Sequence, residues 1–405
     1  MKTALTTIGS RGDIQLYIAL GVELQKNGHQ VAILTHPWAE QIVKSYGLQH
    51  IPIGRDIDIN YAARQFVEHS SNNLKGFSFA LHFIYDNLRD CHEDLLSRLS
   101  GFDLVIGHGI VGEAEAEILD KPFITVSIAP MGLARDYGKS KNKLSDLAAY
   151  VSDKITGSLF SKPYLDYRKE MGIPGPAQKE RFPYLAMIPM PAFLQKTNPR
   201  WKDKTEITGY FFAPTPVDYS PPEDLVRFIG NKEKPILVTF GSMFHRPEQT
   251  DSLFKTLCDA LDRSHTRAIL IMPDLVDNTS AIPANVYVAK QIPYPWLLDH
   301  VTLAVHHFGF GTTAEVLKAG LPSIPIPHIF DQKIRSSQVH KLGLAHKPLD
   351  MNKLDSETLS NAIIQVKNDT VMSEKCREAG ITISQENGTQ KAVKLINDYI
   401  TRLTR

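Results

Sequence analysis

The sequence predicts an α/β protein of two domains, each built around a parallel sheet. Three observations carry that reading. Short β-leaning apolar runs alternate with stretches of helical spacing, first over residues 1–128 and again from Lys234 onward. A strand followed by a helix-length crossover implies return to the sheet in parallel. A proline-rich stretch separates the two cycles, and 405 residues are too many for one ordinary core.

In the first cycle, Ala4–Ile8 is a β-leaning run, and Ile14–Lys26 follows with Tyr17, Leu20, Gly21 and Leu24 at helical spacing. Gly28 supplies the stop that commonly ends a helix, and Val31–Thr35 is the next apolar run. Leu95–Leu99 closes a helix ahead of the strand Leu104–Ile106. Glu113–Leu119 is helical in pattern and Phe123–Ile128 strand-like. From Met131 to Pro183 no clean period survives among several Gly and Pro, so irregular helices and loops near a binding cleft are expected there.

The second cycle opens with the strand Ile236–Phe240, the pair Gly241-Ser242, a helix to about Leu261 and the strand Ala268–Met272. Val286–Ala289 and Leu303–His307 follow, then a helix from Gly311, the strand Ser323–Pro327 and a helix after Asp331. Pro214, Pro216, Pro221 and Pro222 stiffen the chain between the cycles and block helix continuation. Residues 214–222 are therefore read as a linker between an N-terminal domain, 1–213, and a C-terminal domain from 223 to 385.

Composition narrows the function classes. A formal charge of +1 argues against a nucleic-acid binder, which carries a basic domain or stripe. Cys91, Cys258 and Cys376 lie far apart and form no CxxC pair, as expected of thiols in a reducing compartment. The apolar stretch at the N-terminus is broken by Arg11 and Asp13, too early for a signal peptide. No run approaches the ~18 apolar residues of a membrane span. A cytoplasmic α/β enzyme is the expectation.

Three motifs carry chemistry. GSRGD, Gly9–Asp13, lies between the first strand and first helix, the end of a parallel sheet where ligands bind. Gly9 and Gly12 permit close backbone approach, Arg11 suits a phosphate, and Asp13 can either take a proton or cap the helix. VHHFGFGTTAEVLKAG, Val305–Gly320, runs from a strand through His307, Gly309 and Gly311 into a helix at Thr312. Such a helix start suits a diphosphate, with Thr312 and Thr313 as further donors; the alternative is a glycine turn beside a core histidine. Gly241 and Ser242 offer a second set of amides. Asp331-Gln332 suits a bidentate grip on sugar hydroxyls, or Asp331 caps its helix.

Together these stretches resemble the GT-B glycosyltransferases of the UDP-glycosyltransferase superfamily, nearest its sterol-glucosyltransferase-like and glycopeptide-antibiotic branches. GSRGDIQLYIALGVELQKNGHQVAILTH is similar to that group's opening, and IPYPWLLDHVTLAVHHFGFGTTAEVLKAGLPSIPIPHIFDQ to its donor signature. EITGYFF, ahead of the proline-rich connector, sits where the family ends its first domain. The resemblance implies two Rossmann-like domains facing across a cleft, with residues 386–405 forming a helix that returns to the first. It also implies Asp13 as general base, His307 with Gly309, Gly311, Thr312 and Thr313 around the diphosphate, and Ser10 and Arg11 as phosphate neighbours across the cleft. Glu315 falls where the superfamily places a ribose-binding acid. Gln291–Pro293, with Gln291 and Ile292, falls where backbone meets the base, and Asp331 with Gln332 where a pair grips the donor sugar. Three positions depart from the pattern. Phe308 and Phe310 replace small residues and are expected to crowd or line the donor-sugar pocket; Leu16 replaces a proline.

The reaction this implies is inverting transfer of a hexose from a UDP- or dTDP-sugar to a hydroxyl of a largely apolar acceptor. No cofactor or metal is expected, because no DxD-like pair or histidine–carboxylate cage is visible. Phe77–Tyr85 and Ile128–Leu133 offer apolar surface for the acceptor, or belong to the core. A lipid acceptor is compatible with membrane-surface contact, although no basic amphipathic helix announces it. Two rivals stand: a nucleotide-sugar epimerase of the same architecture, and a non-catalytic nucleotide-sugar-binding protein.

Overall fold

A computed structural model of the chain describes every residue except 59–60, 63, 66–72, 130–132, 134–142, 174–181, 202–203, 215–218, 231–232, 242–246, 273–281 and 404–405. The chain divides into two compact units. One comprises Met1–Ile57, Ser78–Ala213 and Glu386–Arg405; the other comprises Asp58–Phe77 and Pro214–Gln385.

Among the described residues, the first unit holds a seven-stranded sheet in the order β3-β2-β1-β4-β5-β6-β7. Its strands are β1 (Lys2–Thr6), β2 (Gln30–Thr35), β3 (Gln49–Pro52), β4 (Leu104–His108), β5 (Phe123–Val126), β6 (Ala186–Ile188) and β7 (Thr205–Ile207). Every pairing is parallel, with Leu5 opposite Ile33 on one side and Ile106 on the other. Ala4, Leu5, Ala32–Leu34 and Leu104–Ile106 are all buried, as strands covered on both faces must be. The order reverses between β1 and β4. That switch point leaves a crevice outside the carboxyl ends of the two strands.

The helix after β1 runs Arg11–Lys26, starting a turn before the apolar pattern suggests because Ser10 caps it. Ile14, Tyr17, Ile18, Leu20 and Leu24 are buried beneath it. The largest departure from the sequence expectation is Lys143–Glu170, a single long helix rather than irregular structure. Pro163 within it obscures the helical period. Polar contacts anchor its last turns instead: Tyr164 donates to Glu113 (2.9 Å), Tyr167 to Glu115 (2.8 Å) and Arg168 to Glu117 (2.8 Å). Those three acids ride one short helix, Glu113–Ile118. Tyr85 packs its ring 6.2 Å from that of Tyr167, and Leu133 is buried in a cluster with Ile188 and Trp201. Both therefore belong to the core rather than to open acceptor surface. The final helix, Gly388–Leu403, completes this unit with buried Val393, Ile396 and Tyr399, and His29 bonds Asn397 at 3.0 Å.

The second unit's described strands form a five-stranded parallel sheet in the order β10-β9-β8-β11-β12. They are β8 (Ile236–Thr239), β9 (Ala268–Ile271), β10 (Val286–Ala289), β11 (Ala304–His306) and β12 (Ser323–Pro325). Ile236, Val238, Leu270, Val305 and Ile324 pack with Leu257 and Leu261 of the helix Pro247–Arg263, and with Leu359 and Ile363 of Ser356–Asn368. Burying each such side chain contributes about 1.5–3 kcal/mol. Here too the order reverses, between β8 and β11. Gly241 and the histidine–glycine loop follow the carboxyl ends of those two strands.

Candidate functional site

In the first unit, the turn after β1 folds back on itself through Asp13. Asp13 is the third residue of its helix, and its Oδ2 accepts both the Ser10 amide (2.7 Å) and the Ser10 hydroxyl (2.9 Å). This reciprocal arrangement satisfies amides at the helix start. A Cβ at Gly9 would overlap that carboxylate, and Gly9 adopts φ +131°, so glycine is required for the turn. Asp13 thus caps as the third residue rather than as the residue preceding the helix, and Oδ1 is left for other work. One turn on, Tyr17 is fully buried; burial and the Asp13 charge push its hydroxyl well above the ordinary tyrosine range. His108, at the end of β4, stands 5.8 Å from the Tyr17 ring and bonds Thr7 Oγ1 at 3.3 Å. His108 escaped the sequence reading. Its signal is the one that marked His307, a histidine at a strand end with a glycine one or two residues on.

In the second unit, β11 delivers His306 and His307 into the loop before the helix Phe310–Lys318. His307 is wedged between two glycines: a Cβ at Gly241 or at Gly309 would overlap its ring. Burial first, then His306 and Arg335, lower His307 to about 3, so the imidazole is neutral at physiological pH. Its Nδ1 is buried without a hydrogen-bond partner; the Thr239 carbonyl favours the charged form without closing a bond of ordinary geometry. His306 is also lowered to about 3, by burial and Arg335. The Phe308 amide donates to His306 Nδ1 (3.3 Å), which leaves Nε2 as the protonated nitrogen facing Ser323 Oγ at 3.2 Å.

Phe308 packs inward. It is fully buried and stacks on His306 at 4.3 Å and 10°, with φ +63°, a left-handed backbone that non-glycine residues adopt at a cost. A glycine follows it in the chain, whereas the ring's neighbour in space is a histidine. Phe310 is half-buried and opens the helix. Thr313 closes the first intrahelical bond to the Gly309 carbonyl, and its hydroxyl is spent on the same oxygen at 2.8 Å. The amides of Phe310, Gly311 and Thr312 precede that bond and lie at the positive end of the helix dipole. Thr312 Oγ1 contacts Tyr294 OH (3.4 Å), which in turn contacts Thr239 Oγ1 (3.3 Å), a hydroxyl chain across the switch point. Tyr294 is a second residue that the motif reading passed over. Ser242 lies outside the described residues.

The remaining expected donor contacts separate by environment. Gln291 is exposed, while Ile292 is buried in a core cluster, so only backbone is available there. Burial raises Glu315 to about 7, partly offset by Lys318. Asp331 and Gln332 divide their roles. The Gln332 side chain is buried, and its Oε1 accepts the amides of His328 (2.8 Å) and Ile329 (3.2 Å), so Gln332 rather than Asp331 satisfies the helix start. The Asp331 side chain is 54% exposed and pairs with Arg335 at 3.3 Å. Among the described residues no three His, Cys, Asp or Glu side chains gather as a metal cage, and no helix is long and apolar enough to cross a membrane.

Two parallel α/β units, each with polar and glycine-rich loops at its switch point, make up the GT-B architecture. Residues 3–92 match the glycosyltransferase family 28 N-terminal domain, and residues 256–396 the erythromycin biosynthesis protein CIII-like C-terminal domain. The fold is that of the calicheamicin glycosyltransferase CalG4, at a TM-score of 0.73, 18% identity and 100% and 99% coverage of the two chains. Glycosyltransferase VinC, solved in complex with dTDP, aligns at a TM-score of 0.69 and 17% identity, covering 99% of this chain and 100% of that one. A sterol 3-beta-glucosyltransferase of Leptosphaeria maculans is 28% identical over 98% of this chain, which spans only 28% of that protein's length. The O-mycaminosyltylonolide 6-deoxyallosyltransferase of Streptomyces fradiae is 25% identical, with 100% and 99% of the two chains covered. These similarities support an enzyme of the UDP-glycosyltransferase superfamily.

Proposed function

We propose that the protein transfers a hexose from a UDP- or dTDP-sugar to a hydroxyl of a largely apolar acceptor, with inversion and without a metal. The observation that carries the donor half is the loop around His307. A buried neutral histidine with an orphaned nitrogen, two glycines that admit it and a helix start all suit a diphosphate. The sterol and O-mycaminosyltylonolide named for two relatives, and the dTDP bound to a structural neighbour, support the substrate classes.

The acceptor oxygen forms a bond to the anomeric carbon as the bond to the diphosphate breaks, and the electron pair leaves with the phosphate. Asp13 takes the hydroxyl proton; this needs only modest basicity, because the proton moves as charge develops. The departing charge is met by the amides of Phe310–Thr312 and a hydrogen bond from neutral His307. Ser10, Arg11 and Gly241-Ser242 supply further phosphate contacts in this reading. Glu315 takes the ribose, the Gln291–Ile292 backbone the base, and Asp331 the sugar hydroxyls.

The test is mass-spectrometric. Wild type and Asp13→Asn are given UDP- and dTDP-sugars with a panel of hydroxylated sterols and polyketide aglycones. Asparagine keeps an oxygen for the Ser10 bonds, so the helix start survives the change. Product formation should fall roughly 10²–10⁴-fold while nucleotide binding persists. Equal turnover by the variant would remove Asp13 from the mechanism; acceptor-independent conversion of the sugar would point to an epimerase.

A further inference from the structure

Arg335 lies on the helix Phe330–Lys341, one turn after Asp331. Its side chain is only 11% exposed, unusual for a charge that could extend into water. It is held there by contacts to both sides of Gly309. Arg335 Nη1 donates to the Phe308 carbonyl at 2.7 Å, and the guanidinium lies 5.4 Å from the Phe310 ring centre. The same nitrogen reaches Asp331 Oδ2 at 3.3 Å. A buried guanidinium is costly unless its donors are taken up. Here a single nitrogen, Nη1, joins the left-handed turn of the histidine–glycine loop to the acid at the start of the neighbouring helix.

We propose that Arg335 is a positioning residue that couples the diphosphate loop to the sugar-gripping Asp331, so that the nucleotide and sugar halves of the donor are bound interdependently. The proposal rests on the donor reading given above and deepens it. Without a donor, the guanidinium divides its Nη1 between the Phe308 carbonyl and Asp331. A diphosphate arriving at the loop competes for the guanidinium's field, which loosens the ion pair and frees the Asp331 carboxylate to accept hydroxyls of the sugar. Arg335 also provides fixed positive charge beside a loop whose two histidines are neutral. Lysine would keep the charge on a compact, more strongly hydrated head and lose the planar face that lies against Phe310 and fixes where the nitrogen sits.

Calorimetric titration of UDP, dTDP and their glucose conjugates measures the coupling as the ratio of nucleotide to nucleotide-sugar dissociation constants. In wild type that ratio should favour the sugar conjugate. Arg335→Gln should shrink it about 3–10-fold, Asp331→Asn should do the same, and the double variant should lose no more than either alone. Arg335→Lys should recover affinity for the plain nucleotide but not the sugar ratio. A residue that merely supports the fold would lower the melting temperature and weaken both ligands equally. That outcome, or additive losses in the double variant, overturns the proposal. Should wild type bind none of the four probes, the donor reading itself fails and the proposal goes with it.

Discussion

Burial disfavours the charge of Glu315 and raises its pKa to about 7, into the physiological range. Its folded value lies above its unfolded one, so the folded state holds the proton more tightly. Its contribution to stability is therefore fully present below about pH 4.5 and declines as pH rises toward 7. Ribose binding by a carboxylate runs the other way, with nucleotide affinity rising through pH 7. We expect UDP-glucose or dTDP-glucose titrations, whose diphosphate does not ionise in this range, to differ several-fold between pH 6 and pH 8 in wild type and to coincide in Glu315→Gln; an unchanged pH slope would clear Glu315 of the ribose role. At this scale the sequence was informative where chemistry is written in local order. Asp13, His307 and Asp331 stand beside glycines or at helix starts, and those neighbours mark them. Arg335, Tyr294 and His108 carry no such mark. A lone arginine on a polar helix resembles a solvated face, and only the tertiary fold aims it at the Phe308 carbonyl.

Elements were legible in proportion to how far burial dictates them. The parallel strands are covered on both faces and read as unbroken apolar runs, so most appear in the sequence within a residue or two of their observed bounds. Helix Lys143–Glu170 was missed because hydrogen bonds to Glu113, Glu115 and Glu117 hold its last turns in place, and polar pairing leaves no period to count. The first helix was placed correctly but started late, since its apolar pattern begins only after the capping turn. That turn has a measurable value. Ser10→Ala should cost about 1 kcal/mol, the usual loss for a serine cap. In a unit of this size that is a fall of roughly 2–4 °C in melting temperature. Because one of the two Ser10 bonds to Asp13 is lost as well, turnover should drop with it; a variant unchanged in both scanning calorimetry and turnover would show that the cap is ornamental.

At the scale of the molecule, the first unit is assembled from both ends of the chain. Val393, Ile396 and Tyr399 of the last helix are buried in it, and Lys391 donates to the Ile207 carbonyl at 2.6 Å. At about 1.5–3 kcal/mol for each large buried side chain, these three account for a substantial part of the roughly 5–15 kcal/mol that stabilises an ordinary domain. Ending the chain at Asn387 should therefore unfold the first unit and spare the second. Hydrogen exchange would register this as lost protection in β1, β2 and β4 beside retained protection in β8, β9 and β11. Full protection in both units would show the last helix to be dispensable.

The returning helix also sets an order of events during synthesis. Domains usually fold as they leave the ribosome, the first one made being the first one finished. Here the sheet translated first must wait, with its surface for Tyr399 uncovered, while the whole second unit is made and emerges. Of the two units, the one whose sheet is made earlier is thus completed later.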